Sequence, residues 1–156
     1  MIREFNSCRH ALGSRAKILR ASAYDLDPRT HATFDMTSFF GGLYHLRFPI
    51  LALHKTTCLC ALTIRMQSAI CANTSDTPPA EARPFGIVGG PSDRPSHDPT
   101  CFWSPNCACC GAMLEHVGFE QIKEVQTAGT VGAVFRARSP IRAKGRRPNE
   151  TCAPWS

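Results

Sequence analysis

The chain has 156 residues, of which 43% are hydrophobic and 19% charged, and its net charge is +6. That length fits one domain or a large piece of one, and the apolar share argues against wholesale disorder. No apolar run approaches the ~18 residues of a membrane span, and the N-terminus lacks the pattern of a secretory signal. We therefore expect a cytoplasmic protein.

The first half of the chain predicts two helices and three strands. Residues 2–12 place apolar side chains three and four apart, which predicts a short helix that Gly13 can end. Strands are predicted at 17–23 and 34–40, on either side of a polar turn at 24–28, and a third at 60–66. Pro49 opens a helix between the last two strands, since proline is tolerated in a first helical turn.

The second half begins with a long segment rich in proline and glycine, from Cys71 to Ser104. A loop of that length inside a compact domain is usually functional or disordered. A helix is predicted from about Pro105 to His116, closed by Gly118, and strands at 119–125 and 131–135. Because the turn between these two strands is short, we expect them to pair antiparallel.

The order of these elements predicts an α/β fold. Strands that alternate with helices favour a mainly parallel sheet covered on both faces, and the closing hairpin adds one antiparallel strand. In such sheets ligands bind at the carboxyl ends of the strands. Two such ends carry polar or glycine-rich sequence: Tyr24, Asp25 and Leu26 after the second element, and Gly41 to His45 after the strand at 34–40.

These two strand ends are the candidate site. An acidic turn can accept hydrogen bonds from a nucleoside, although an ordinary Asx turn has the same sequence. The glycine pair at 41–42 lets the backbone approach a ligand closely, and Tyr44 and His45 follow it directly. A lone histidine is commonly structural, but this pairing with a glycine-rich strand end favours a binding site.

Three stretches resemble class I S-adenosylmethionine-dependent methyltransferases. Residues 34–35 and 40–46 (FD and FGGLYHL), with Pro49 to Leu53, resemble the fourth-strand region of that fold. More narrowly, they are similar to the group of tRNA wobble-uridine (carboxy)methyltransferase-like proteins. Residues 98–100, 102–106 and 113–119 (DPT, FWSPN and MLEHVGF) resemble a second stretch of the same group, and 24–28 fits the segment before the fourth strand.

The resemblance implies a Rossmann-like methyltransferase sheet, of which this chain holds the C-terminal part, with S-adenosylmethionine as cofactor. It implies that Tyr24, Asp25 and Leu26 flank the adenine, and that Phe40 and Gly41 pass behind the methionine part. Tyr44 and His45 would face the methyl acceptor, with His45 taking its proton. The long loop would supply a lid that contains Asp98, Trp103 and Asn106, although Trp103 can equally be a packing anchor. No metal is implied.

One expected feature is missing from the sequence. The resemblance implies a Gly-x-Gly turn after the first strand, and no Gly-x-Gly occurs anywhere in the chain. We therefore interpret the chain as N-terminally truncated, with a partial methyltransferase domain at 1–138 and impaired activity. Truncation would also expose a sheet edge that can pair with another chain. The alternative from another class is a non-catalytic remnant or accessory chain.

The cysteines and the basic C-terminal segment leave a third interpretation open. All nine cysteines are expected to be free thiols in a reducing compartment, but the clusters at 58–60 and 107–110 could bind zinc. Six basic residues and no acidic ones lie between Arg136 and Arg147, so the rest of the chain is neutral. We expect residues 139–156 to be a disordered tail, and Arg136 to Arg147 to make at most a weak RNA contact. A small zinc- or RNA-binding module is the corresponding function.

Overall fold

The computed structural model describes residues 2–70, 100–103, 105–128 and 132–139, with no side-chain description at 126–128. In chain order the elements are α1 (Ile2–Ala11), β1 (Phe34–Phe40), a 3-10 turn (Leu43–His45), α2 (Pro49–Leu59), β2 (Cys60–Ala69), α3 (Cys107–His116), β3 (Glu120–Ala128) and β4 (Gly132–Arg138). The predicted basic tail and most of the predicted long loop, residues 71–99, lie outside the described residues.

The four strands form one mixed sheet in the order β1-β2-β4-β3. β1 and β2 are parallel, whereas β4 is antiparallel to both β2 and β3. β1, β2 and β3 therefore run in the same direction, and β4, which lies between β2 and β3, runs in the opposite direction. The predicted antiparallel hairpin at the end of the fold is confirmed.

Local sequence signals set the helix boundaries. Pro49 occupies the first turn of α2, where its missing N–H costs no hydrogen bond. Gly13 and Gly118 follow α1 and α3 with φ values of +56° and +94°, a left-handed backbone that glycine adopts without strain. The Asn106 side chain accepts a hydrogen bond from the Cys109 N–H at 2.7 Å and so caps the start of α3.

The core lies between one face of the sheet and the helices α2 and α3. Leu53 of α2 and Leu114 of α3 are fully buried against Ile64, Met66 and Phe135 of the sheet. Among the described residues, helices cover this face only. The prediction of a sheet covered on both faces is therefore wrong for this part of the chain, because the strands carry exposed polar side chains such as Arg65 and Arg136 on the other face.

The N-terminal third differs most from the sequence prediction. The strand predicted at 17–23 is absent, and these residues are mostly exposed. An isolated extended segment needs a neighbouring strand to satisfy its backbone groups, and none of the described strands pairs with it. The helix α1 forms as predicted, but none of its residues is buried. Within the described ranges, none of the helices has the length and apolar character needed to cross a membrane.

Candidate functional site

The turn after β1 has the backbone geometry expected of a ligand-binding strand end. Gly41 has a φ of +65°, and its N–H donates to the Gln67 carbonyl of the neighbouring strand β2 at 3.2 Å. A Cβ at this position would lie 3.8 Å from Gln67 Oε1 and 3.9 Å from the Tyr44 hydroxyl. The backbone conformation, rather than crowding, is therefore what favours glycine here.

Residues 100–103 are bound directly to this turn. The backbone N–H groups of Phe102 and Trp103 both donate to the Tyr44 carbonyl, at 2.8 and 3.3 Å. The Trp103 indole N–H donates to the Leu46 carbonyl at 2.7 Å. The end of the long connection after β2 is thus held against the carboxyl end of β1, which brings together two stretches of chain more than fifty residues apart.

The same segment fixes the ring of His45. Its Nδ1 lies 2.9 Å from Thr100 Oγ1, 3.2 Å from the Thr100 carbonyl and 4.0 Å from Cys101 Sγ. Because a carbonyl can only accept, a proton on Nδ1 suits this arrangement and leaves the lone pair on Nε2. No described residue bonds Nε2, so this nitrogen can accept a proton from a ligand. The Tyr44 ring lies against the imidazole, with the ring centroids 4.2 Å apart.

The predicted acidic turn lies beside the start of α2. The Tyr24 hydroxyl accepts a hydrogen bond from the Phe48 N–H at 3.2 Å, and the two rings meet edge to face at 6.1 Å. Leu26 is half-buried. Since α2 begins just after the Gly41–Leu46 turn, these contacts place Tyr24 near the carboxyl end of β1.

The two carboxylates of this turn have different environments. Asp27 accepts hydrogen bonds from the Arg29 guanidinium, one of them at 2.6 Å, and this contact lowers the pKa of Asp27 to about 2. Asp25 is exposed, and its carboxylate makes no hydrogen bond or ion pair with a described residue. Asp25 is therefore the carboxylate that remains available to a ligand.

The remaining predicted site residues have mixed positions. Phe40 is 57% exposed at the end of β1. Asn106 is buried and caps α3, a structural role that the sequence prediction did not include. Trp103 anchors the turn through Leu46, which agrees with the alternative of a packing anchor. Asp98 lies outside the described residues.

Most described cysteines serve the core rather than a reactive site. Cys60, Cys109 and Cys110 are buried in the core cluster. Burial raises the pKa of Cys109 to about 11, and burial together with the neighbouring thiols raises the pKa of Cys110 to about 12. Such thiols are poor nucleophiles and poor metal ligands at neutral pH. No group of three or more potential metal-ligating side chains forms among the described residues.

The expectation of free thiols throughout needs one correction. Six described cysteines are free, but Cys58 forms a disulfide. A disulfide depends on a second cysteine brought close in space, which residue type and local pattern do not indicate.

Sequence reasoning also missed an apolar groove beside the turn. The groove has a volume of about 500 Å³ and is lined by Arg47, Phe48, Pro49, Ile50, Leu51, Trp103 and His116. Trp103 is shared between the groove and the Gly41–Leu46 turn. The lining joins the start of α2 to Trp103 and His116, which are distant in the chain, so no local sequence signal could have indicated the groove.

The fold is that of class I methyltransferases. The chain superposes on the N-terminal domain of EvdMO1 with SAH (S-adenosylhomocysteine) bound, at a TM-score of 0.63 and 19% identity, over 88% of this chain and 60% of that one. It also superposes on 1,6-didemethyltoxoflavin-N1-methyltransferase from Burkholderia thailandensis, crystallised with its substrate and S-adenosylhomocysteine, at a TM-score of 0.58 and 18% identity, over 87% and 56% of the two chains. A third match is magnesium protoporphyrin IX methyltransferase from Synechocystis with SAH, at a TM-score of 0.55 and 10% identity, over 85% and 56%.

These similarities confirm the predicted α/β Rossmann-like methyltransferase fold. The chain spans about 60% or less of the length of these three structures. No protein-family model and no curated protein matches the sequence. The narrower resemblance to tRNA wobble-uridine enzymes stays a prediction.

Proposed function

We propose that this chain binds S-adenosylmethionine at the carboxyl end of β1 and serves methyl transfer to an acceptor. The observation that carries the proposal is the Gly41–Leu46 turn: a left-handed glycine follows β1, and Tyr44, His45 and Leu46 are hydrogen-bonded to residues 100–103. This turn lies at the strand end where α/β sheets bind ligands. The shared fold with structures that contain S-adenosylhomocysteine supports the choice of cofactor.

The described residues fit such a cofactor on this side of the site. Asp25 offers an unpaired carboxylate for the ribose or adenine, with Tyr24 and Leu26 beside it. At Gly41 the backbone has room for a ligand, and Phe40 is exposed next to it. The Gly-x-Gly turn that would hold the methionine part is absent from the sequence, so we expect weak binding.

His45 is the proposed proton acceptor. When bound, S-adenosylmethionine supplies an activated methyl group: the acceptor's lone pair bonds to the methyl carbon, the electron pair of the broken bond returns to sulfur, and the acceptor's proton leaves to a base. The contacts with Thr100 hold His45 Nδ1 and leave Nε2 for that proton. Tyr44 packs on the imidazole and orients it. The lid role of Asp98, Trp103 and Asn106 remains part of the proposal. The acceptor is left open: the similarity to tRNA-modifying enzymes favours RNA only weakly, and a lipid, a sugar or a small metabolite is equally compatible.

Titration calorimetry tests the cofactor site. We expect heat of binding with both S-adenosylmethionine and S-adenosylhomocysteine. The Asp25→Asn variant should bind ~10- to 100-fold more weakly, because a hydrogen bond to a charged group contributes about 1.5–3 kcal/mol. Asp35→Asn is the matched control, since Asp35 is a second exposed aspartate, which lies on β1, and its replacement removes the same charge. A folded protein that releases no heat at millimolar ligand, or equal losses in the two variants, would overturn the proposal.

An accessory chain without activity is the second candidate function. The observation that favours it is an exposed edge strand: β1 is one of the two edge strands of the described sheet, and Phe34, Met36 and Phe40 on it are each more than half exposed. Edge strands with apolar side chains tend to pair with another strand. Light scattering across a concentration series tests this. Association weakened by Met36→Lys would support it, whereas a monomer at every concentration would contradict pairing with a second copy.

A further inference from the structure

The sheet face opposite α2 and α3 carries a row of cations across three strands. In the sheet register Arg65 of β2 lies opposite Arg136 of β4, and Arg136 lies opposite Lys123 of β3. All three are exposed. Neighbouring strands are about 4.8 Å apart, so the row spans roughly 10 Å. Like charges directly opposite each other destabilise a sheet, and a bound anion would relieve that repulsion.

A fourth cation lies beside this row. Arg138 follows two residues after Arg136 on the same face of β4, opposite Thr63, and its guanidinium is 3.5 Å from Gln121 Oε1. The four cations border a shallow hollow of about 480 Å³, whose lining is Met36, Leu62, Thr63, Arg65, Gln121, Lys123, Arg136, Ala137 and Arg138. Among the residues that the structure describes, this lining contains no acidic side chain.

Two glutamates of β3 lie near these cations. Burial raises the pKa of Cys107 on α3 and the Glu124 carboxylate adds to that rise, so this carboxylate lies on the helix side of the sheet. Glu120 lies opposite Arg138 in the sheet register and lines a neighbouring groove with Glu115. Arg138 therefore has an acidic neighbour, whereas Arg65, Lys123 and Arg136 have no acidic residue opposite them in the register.

Apolar side chains continue the same face onto β1. Met36 lies opposite Thr63, and Phe40 lies opposite Gln67, so both alternate onto the face that carries Arg65. Each is more than half exposed, at 53% and 57%. A surface that combines cations with an exposed aromatic ring can hold phosphates and stack a base at the same time.

We propose that this face, Met36 and Phe40 with Arg65, Lys123, Arg136 and Arg138, binds single-stranded nucleic acid. The cluster of four cations selects a polyanion, and the adjoining Phe40 ring favours a strand with unpaired bases over a duplex, whose bases are already stacked. The chemistry recognised is the phosphodiester chain with an accessible base, which single-stranded RNA and DNA share. In the sequence, Arg136 and Arg138 also begin the basic segment that continues to Arg147.

The test is fluorescence anisotropy of the full chain with labelled oligouridylate and oligodeoxythymidylate of about 12 nucleotides, within the ~4–16 that single sheet platforms hold. We expect saturable binding at low salt. The double variant Arg65→Glu/Arg136→Glu should bind at least ~10-fold more weakly, with the slope of log affinity against log salt reduced by about 1.4, since each lost phosphate contact contributes ~0.7 for single strands. Phe40→Leu should weaken binding and leave that slope unchanged.

The matched control is Arg3→Glu/Arg9→Glu on the exposed helix α1, which changes the net charge by the same amount. Retained binding in the control supports the face, whereas an equal loss in both double variants would overturn it in favour of net charge or the tail. Tighter binding of duplex DNA than of either oligomer, or no saturable binding, would also overturn it. Should Arg65→Glu/Arg136→Glu fail to fold, Lys123→Gln/Arg138→Gln replaces it. Phe40 also adjoins the proposed cofactor site, so the arginine and lysine variants are the ones that separate the two functions: they should weaken oligonucleotide binding and leave the affinity for S-adenosylmethionine unchanged.

Discussion

Replacing Gly41 and Gly42 by alanine, one at a time, separates backbone strain from every other effect of adding a methyl group. Gly41 has a φ of +65°, whereas Gly42 has a φ of −106°, which any residue adopts. An added Cβ meets only ordinary contacts at either position, the nearest at 3.8 Å for Gly41 and 3.5 Å for Gly42. The two variants therefore differ mainly in the conformational energy of one residue.

The expected difference follows from that geometry. A left-handed backbone costs a non-glycine residue about 1–2 kcal/mol. Both alanines reduce the entropy of the unfolded chain, which stabilises by about 0.4–1 kcal/mol and cancels in the comparison. Gly41→Ala should thus have a free energy of unfolding about 1–2 kcal/mol below that of Gly42→Ala.

Urea denaturation measures this difference. With a slope of about 2 kcal/mol per molar for a domain of this size, the two midpoints should lie ~0.5–1 M apart. Gly42→Ala should match or slightly exceed the parent chain. Equal midpoints would refute the reasoning, because they would mean that Gly41 does not hold a left-handed conformation at the end of β1. The cofactor site proposed at that turn would then lose its main geometric support.

Three further predictions concern the core, the pH dependence and a helix cap. In the native chain at pH 8, Cys109 and Cys110 should resist alkylation while the exposed Cys8 reacts, because burial raises the pKa of the Cys109 and Cys110 thiols. Modification of all three cysteines at similar rates would contradict the described burial. Burial also lowers the pKa of His54, so the unfolded chain binds a proton at this residue more tightly than the folded chain does. The free energy of unfolding should therefore fall as the pH drops below about 6.5. His54→Gln should flatten that part of the pH profile of the melting temperature, and an unchanged profile would contradict the role of His54. Asn106→Ala should lower the free energy of unfolding by about 1 kcal/mol through loss of the α3 cap, whereas Asn106→Asp should retain most of it.

The strand predictions succeeded where the segment finds a partner in the sheet and failed where it does not. Residues 34–40 and 60–66 were predicted as strands and form β1 and most of β2, which pair with each other. Residues 17–23 have a similar apolar content but no neighbouring strand among those described, so they do not form one. Strand formation depends on hydrogen bonds to a second segment, which a local pattern cannot report.

The candidate site was predictable in composition but not in geometry. The sequence pattern singled out Gly41, Tyr44 and His45, and the structure places all three in one turn. It could not indicate that Thr100 holds the His45 ring, or that Asp27 is occupied by Arg29 while Asp25 is not. Those differences arise from side-chain contacts rather than from residue type.

The sequence by itself determined the helices and the closing hairpin, because proline and glycine act on the backbone within a few residues of their own position. Only the tertiary structure decided that β4 inserts between β2 and β3, that the Trp103 segment docks on the turn after β1, and that Arg65, Lys123 and Arg136 form one row. Each of these joins residues distant in the chain, and their proximity depends on how the whole sheet buries its apolar face.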